Sequence, residues 1–229
     1  MKTIGLIGGL SWQSTVDYYR FINKAVLRRT KGKHAAKMII DSVDFGEVEA
    51  FMKNDDFKGL SVMLIKSAQR LESAGAELLM IGANTMHFAE ETVKAGIEIP
   101  VVSIVDATLA AIHEKKLTKT GLLGTKLTME WDFFKTRLIA QGIQVNVPGT
   151  EDREFIHEII FRELFNATVK PETKKRVLSI MDALAADGAQ GIILGCTELP
   201  ILIQQKDTAL PVFDTTEIHA LAAVELALK

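Results

Sequence analysis

Two short segments carry the side chains best suited to chemistry. In Gly195-Cys196-Thr197-Glu198, the only cysteine of the chain stands beside a hydroxyl and a carboxylate. A thiol can take and return a proton without a metal once its pKa is tuned. A cysteine just past a buried strand, where a helical turn begins, faces backbone N–H groups that favour the thiolate. A lowered pKa is therefore expected for Cys196, with Thr197 and Glu198 bonded to the thiol or to a ligand. An arbitrary lone cysteine is a small buried hydrophobe; the strand-end Gly-Cys-Thr-Glu setting points to function instead. The second segment is Gly82-Ala83-Asn84-Thr85. Asn84 and Thr85 suit two roles equally, holding a carboxylate or capping a helix. Thr125, after Leu122-Leu-Gly124, carries the same pair of readings. The Gly8-Gly9 loop leading to Ser11 and Trp12 suits close approach of backbone to a ligand. It is not the dinucleotide fingerprint, because Ser11 and Ser14 stand where glycine is needed.

The five histidines are scattered. His87 lies just past the Asn84-Thr85 loop and His219 on the last helix, and neither has a partner at metal-ligand spacing. Supporting or packing roles are expected for these two, and surface positions for His34, His113 and His157. Trp12 either walls the site or packs at the start of the first helix.

These residues need elements to hold them. Thr3–Ile7, Lys37–Asp41, Leu78–Ile81, Val101–Ile104, Thr120–Leu123, Gln144–Val147 and Gly191–Leu194 are short apolar runs that predict buried strands. Ser14–Arg29, Phe57–Ser73, Asp106–Lys115, Glu130–Ala140, Glu154–Leu164 and Glu172–Ala186 have helical period. Such alternation predicts an α/β fold. Internal matches sharpen it. Gly75-Ala-Glu-Leu-Leu-Met-Ile-Gly82-Ala83 aligns with Gly188-Ala-Gln-Gly-Ile-Ile-Leu-Gly195-Cys196. Ile4-Gly-Leu-Ile-Gly8 aligns with Thr120-Gly-Leu-Leu-Gly124, and Pro100-Val-Val with Pro211-Val-Phe. All three recur about half a chain apart and in the same order. The expected architecture is two pseudo-symmetric Rossmann-like domains with parallel-sheet cores, residues 1–98 plus 211–229 and residues 99–210. Ligands of open α/β sheets bind past the carboxyl ends of the strands, so an interdomain active-site cleft is expected there.

The 229 residues carry a net charge of −2, which gives no basic surplus for nucleic acid or an anionic membrane. No run approaches the ~20 apolar residues of a membrane helix, and one cysteine excludes an internal disulfide or a multi-cysteine zinc site. A cytoplasmic protein is expected.

Gly8-Gly-Leu-Ser-Trp-Gln-Ser-Thr15, Ser42-Val-Asp-Phe45, Asn84-Thr-Met-His87, Leu122-Leu-Gly-Thr125, Gly195-Cys-Thr-Glu198 and Val212-Phe-Asp-Thr215 through His219 together resemble the aspartate/glutamate racemase family. The resemblance runs almost the full length. It implies two pseudo-symmetric α/β domains, no cofactor and a homodimer. It also implies two catalytic thiols, one per half, on opposite faces of an amino acid. In this chain those positions are Cys196 and Ala83. The resemblance assigns substrate binding to Ser11, Asn84, Thr85, Thr125, Thr197 and Glu198. Some members carry an arginine soon after the Asp-Phe stretch for the side-chain carboxylate; here Gly46 and Glu47 follow Phe45, leaving Arg162 or Lys170 as stand-ins. Three functions follow: a one-sided racemase of aspartate, glutamate or a related amino acid; a single-cysteine decarboxylase of malonate-type acids; or a silent binder of small acidic metabolites.

Overall fold

Short apolar runs become the central strands of two parallel sheets, because helices cover both of their faces and leave no side for polar residues. The computed structural model describes residues 1–229, and the chain divides into two units: Met1–Ile104 with His219–Lys229, and Val105–Ile218. The first runs β1 (Ile4–Gly8), α1 (Trp12–Arg29), β2 (Met38–Ser42), α2 (Phe45–Lys53), α3 (Phe57–Ser73), β3 (Leu78–Ile81), a 3-10 turn (Thr85–Ala89), α4 (Glu90–Lys94) and β4 (Val101–Val102). The second runs α5 (Ile104–Glu114), β5 (Lys119–Gly124), α6 (Lys126–Glu130), α7 (Asp132–Ala140), β6 (Gln144–Asn146), α8 (Thr150–Arg162), α9 (Pro171–Ala186), β7 (Ile192–Gly195), α10 (Leu199–Leu202) and β8 (Val212–Asp214). Helix α11 (Thr215–Ala227) follows β8, and from His219 on it belongs to the first unit.

The strand orders are β2-β1-β3-β4 and β6-β5-β7-β8, all parallel. The registers agree as well. Ile7 lies opposite Ile81 and Leu123 opposite Leu194; Leu79 pairs with Val101 and Ile192 with Val212. The three internal matches are thus one fold repeated. The Gly-Ala start of the longest match has a local cause. Helices α3 and α9 both end with a left-handed glycine, Gly75 at φ +96° and Gly188 at φ +91°. The next amide reaches back, Ala76 to Leu71 O at 3.0 Å and Ala189 to Leu184 O at 2.9 Å. This closure satisfies the last carbonyls of each helix.

In the first unit Leu60, Leu64, Ala68 and Leu71 of α3 pack on Ile7, Leu79 and Ile81. Tyr18, Ile22 and Val26 of α1, with Ala220, Ala223 and Val224 of α11, cover Ile4, Leu6 and Met80 on the other face. In the second unit Ile156 and Ile160 of α8 and Val177, Met181 and Leu184 of α9 pack on Leu123, Ile192 and Leu194.

Several expectations change. Strands β2 and β6 are not buried, because each lies at a sheet edge. The run Val101–Ile104 stops at Val102, since Ile104 opens α5. The expected helix Glu130–Ala140 breaks at Trp131, whose backbone is extended (φ −74°, ψ 157°), and Asp132 starts a new helix with its carboxylate at the favourable end. Val212–Asp214 forms a strand on β7, so the second crossing between units falls at 218/219 rather than at 210/211, and the first at 104/105 rather than at 98/99. No helix is long and apolar enough to cross a membrane.

Candidate active site

Each unit presents two loops at the carboxyl ends of its central strands. In the first unit these follow β1 and β3. Gly9 sits at φ +74°, and a Cβ there would lie 2.0 Å from Val43 O. Only glycine fits such a turn. The Gly9 amide donates to Thr15 Oγ1 at 2.8 Å, and that hydroxyl donates to Ser11 O at 2.9 Å. Ser11 is buried and caps α1, accepting from the Ser14 amide at 3.3 Å. The Ser14 hydroxyl in turn reaches Gly82 O at 3.2 Å, which ties the β1 loop to the β3 loop. Trp12 is 68% exposed, so it does not pack at the helix start.

Past β3, Gly82 lies against the neighbouring strand: a Cβ there would sit 2.7 Å from Ile7 O. Ala83 carries only a methyl group, next to the buried Asn84 and Thr85. The Asn84 side chain makes no cap hydrogen bond to the turn it precedes. Of its two sequence readings, helix capping is thereby removed. His87 is buried below the loop. Its Nδ1 is 2.8 Å from Ala83 O, and the Ile104 amide donates to its Nε2 at 3.2 Å. His219 is also buried, with Nε2 2.8 Å from Val102 O and Nδ1 2.9 Å from the Tyr18 hydroxyl. Burial, with the neighbouring His87, depresses the His219 pKa to about 3, so its ring is neutral.

In the second unit the loops follow β5 and β7. Thr125 caps α6, accepting from the Thr128 amide at 3.3 Å. Gly195 repeats the role of Gly82, since a Cβ there would lie 3.0 Å from Leu123 O. Cys196 is 6% exposed, and its thiol donates to Glu198 Oε2 at 3.0 Å. The Thr197 hydroxyl donates to the same oxygen at 2.7 Å. The other carboxylate oxygen, Glu198 Oε1, is buried with no hydrogen-bond partner, a costly state that a ligand N–H would relieve.

The expected lowering of the Cys196 pKa is reversed. Burial pushes the thiol well above its ordinary value, and the Glu198 carboxylate adds to the rise. The backbone groups of Thr197 and Glu198 pull the other way and lose. Cys196 is therefore a thiol at rest, an acid held on a carboxylate. The sequence showed the N–H groups at the strand end but not the depth of the site.

Arg162 and Lys170 are engaged elsewhere, Arg162 with Glu158 at 3.5 Å and Lys170 with Glu163 at 2.8 Å. His34 and His113 are exposed as expected. His157 is half-buried instead, accepting from the Lys126 amide at 3.2 Å and packed against Phe161. Sequence spacing marked neither His157 nor the contact of His87 with Ile104, because both depend on elements distant in the chain.

The chain is similar to known proteins over its whole length. A Yersinia pestis protein of known crystal structure, provisionally described as an Asp/Glu racemase, shares 42% identity at a TM-score of 0.94, with all of both chains covered. An aspartate racemase homologue from Pyrococcus horikoshii shares 38% at a TM-score of 0.86, again with full coverage of both. The broad specificity amino-acid racemase RacX of Bacillus subtilis is 23% identical over 181 residues, 76% of this chain and 74% of RacX. The sequence pattern of the Asp/Glu/Hydantoin racemases matches residues 7–223. The chain belongs to that Asp/Glu/Hydantoin racemase family.

Proposed function

We propose that the protein is a cofactor-independent racemase of aspartate, glutamate or a related amino acid, working by thiol-based proton transfer on one face of the substrate. The observation that carries this reading is the buried Cys196–Glu198 pair at 3.0 Å. Cys196 reaches the thiolate when Glu198 or solvent takes its proton. The thiolate then removes the substrate's α-proton, and the carbanion is reprotonated by the same thiol or, from the other face, by water. Proton return by the thiol restores the starting enantiomer, and return by water inverts it. Water replaces a positioned acid at Ala83, so inversion is slow while exchange on the Cys196 face is not. Glu198 Oε1, buried without a hydrogen-bond partner, suits the substrate ammonium, and Asn84 and Thr85 are groups of the kind that hold a carboxylate.

Each enantiomer of aspartate and glutamate incubated in heavy water tests the idea by NMR. Loss of the α-proton from one enantiomer is expected. Retention of every α-proton in both would defeat it.

A second reading has an observation of its own. A thiol protonated at rest is already the acid a decarboxylase needs, and such an enzyme needs no second base at Ala83. Release of carbon dioxide from a substituted malonate, without exchange on amino acids, is its signature.

The same reading includes a cytoplasmic homodimer. Trp12, Val16, Tyr19 and Leu27 are each at least 50% exposed along α1. Large apolar and aromatic side chains of this kind, exposed together on one helix, suit an interface with a second copy of the chain. Light scattering checks this: a dimer for the native chain and a monomer for Tyr19→Glu are expected, and a native monomer argues against it.

A further inference from the structure

His87 and His219 form a buried polar cluster outside the Cys196 loop, and neither ring carries out a step proposed above. A backbone carbonyl can only accept a hydrogen bond, and a backbone N–H can only donate one. These two rules fix both tautomers. His87 donates from Nδ1 to Ala83 O and accepts the Ile104 amide at Nε2. His219 donates from Nε2 to Val102 O and accepts the Tyr18 hydroxyl at Nδ1. The rings meet edge to face, 5.6 Å between centroids. The cluster therefore joins the β3 loop, the end of β4, the first residue of α5, α1 and α11. Ile104 and His219 are also the residues at which the chain leaves and re-enters the first unit.

We infer that His87 is a positioning residue for the candidate site: its Nδ1–H holds the Ala83 carbonyl and so fixes the direction in which Asn84 and Thr85 face a ligand. The inference rests on the racemase reading for its ligand, but its geometry stands apart from it. A 3-10 turn is short and poorly hydrogen-bonded by itself. Its first residues are pinned from below by one imidazole bond, and the other side of that ring is pinned to Ile104. His219, itself held by the Tyr18 hydroxyl, packs edge to face on that ring.

Two near-isosteric replacements separate this role from simple packing. In His87→Asn the amide N–H can occupy the Nδ1 place and keep the Ala83 bond while losing Ile104. In His87→Gln the carbonyl oxygen can occupy the Nε2 place and keep Ile104 while losing Ala83. Two measurements are made on the purified chain and both variants: amide hydrogen exchange at residues 84–87, and α-proton exchange of the reactive amino acid, resolved into kcat and KM. One lost hydrogen bond of ordinary strength corresponds to about a fivefold to tenfold effect. The expected result is that His87→Gln speeds amide exchange at 84–87 and raises KM by about that factor, whereas His87→Asn does neither. Equal losses in the two variants, in step with their thermal stability, overturn the inference. If the native chain exchanges no α-proton, the racemase reading fails, and the positioning role is judged on amide exchange alone. Nitrogen NMR of the imidazoles gives a further check. Nδ1–H at His87 with Nε2–H at His219 agrees with the geometry, and Nε2–H at His87 contradicts it.

Discussion

The β3 loop of the first unit and the β7 loop of the second are the same piece of architecture with different chemistry. Both leave the third strand of a 2-1-3-4 sheet, in the same register. Both do so through a glycine pressed on the neighbouring strand's carbonyl, Gly82 on Ile7 and Gly195 on Leu123. Beyond that point they part. The β3 loop carries the methyl of Ala83 and is braced by the hydrogen bond from the His87 ring to Ala83 O. The β7 loop carries the Cys196 thiol and is braced by a carboxylate that also decides the thiol's charge. The repeated scaffold makes the same backbone demands in both loops, whereas only one of them carries a thiol. Backbone geometry and proton chemistry are separate properties of such a loop, and one can change while the other stays.

The comparison can be broken in several places. The largest effect is expected at the thiol. Cys196→Ala should lower α-proton exchange by about 10²–10⁴-fold, the range of a positioned acid–base group, with little change in melting temperature. An unchanged exchange rate would move the chemistry away from the β7 loop. The scaffold comes next. Gly82→Ala and Gly195→Ala both force a Cβ onto a strand carbonyl, and each should destabilise the fold by about 1–3 kcal/mol. Gly82→Ala should be the worse, because its contact is 2.7 Å against 3.0 Å. Chemical denaturation ranks the two, and equal stability to the native chain would contradict the close approach.

Acid should act mainly on the imidazole-braced side. The folded pKa of His219, about 3, lies below its ordinary value near 6.5. Between those values the unfolded chain binds more protons than the folded one, so stability falls as pH drops. It is fully present above about pH 6.5 and declines by up to ~1.4 kcal/mol per pH unit below it. His219→Gln should remove most of that slope in denaturation curves taken between pH 7.5 and about 5. An unchanged slope would place the acid sensitivity elsewhere. The subtlest change is at Glu198. Removing its negative charge in Glu198→Gln should move the Cys196 titration to lower pH, read by ultraviolet thiolate absorbance. An upward shift would contradict the pairing.

Most of the central fold is legible in the sequence, because its causes are local. The runs at 78–81 and 191–194 announce central strands, and Gly75-Ala76 and Gly188-Ala189 announce the helix ends that precede them. The runs at 37–41 and 144–147 read as buried strands, yet β2 and β6 lie partly exposed at sheet edges, since edge position is set by neighbours rather than by composition. Helix α2 escaped notice: Asp44 caps it through the Gly46 amide at 2.9 Å, yet one glycine and a short apolar pattern hid it. At the site, the identities of Cys196, Thr197, Glu198, Asn84 and Thr85 were legible, and so was the asymmetry with Ala83. The charge state of Cys196 was not. It depends on burial and on a carboxylate 3.0 Å away, both products of packing. The bracing of Ala83 by His87 also needed Ile104 to arrive from a later element.

The most direct test compares solvent exchange with inversion, in the native chain and in Ala83→Cys. Each enantiomer of aspartate and glutamate is held in heavy water, with α-deuterium followed by NMR and handedness by chiral chromatography. The native chain should exchange the α-proton of one enantiomer much faster than it inverts it, and Ala83→Cys should raise inversion by about 10²-fold or more. Equal exchange of both enantiomers by the native chain, or no gain of inversion in Ala83→Cys while exchange persists, would contradict the proposed asymmetry between a β7 loop with an acid–base thiol at Cys196 and a β3 loop with only a methyl at Ala83.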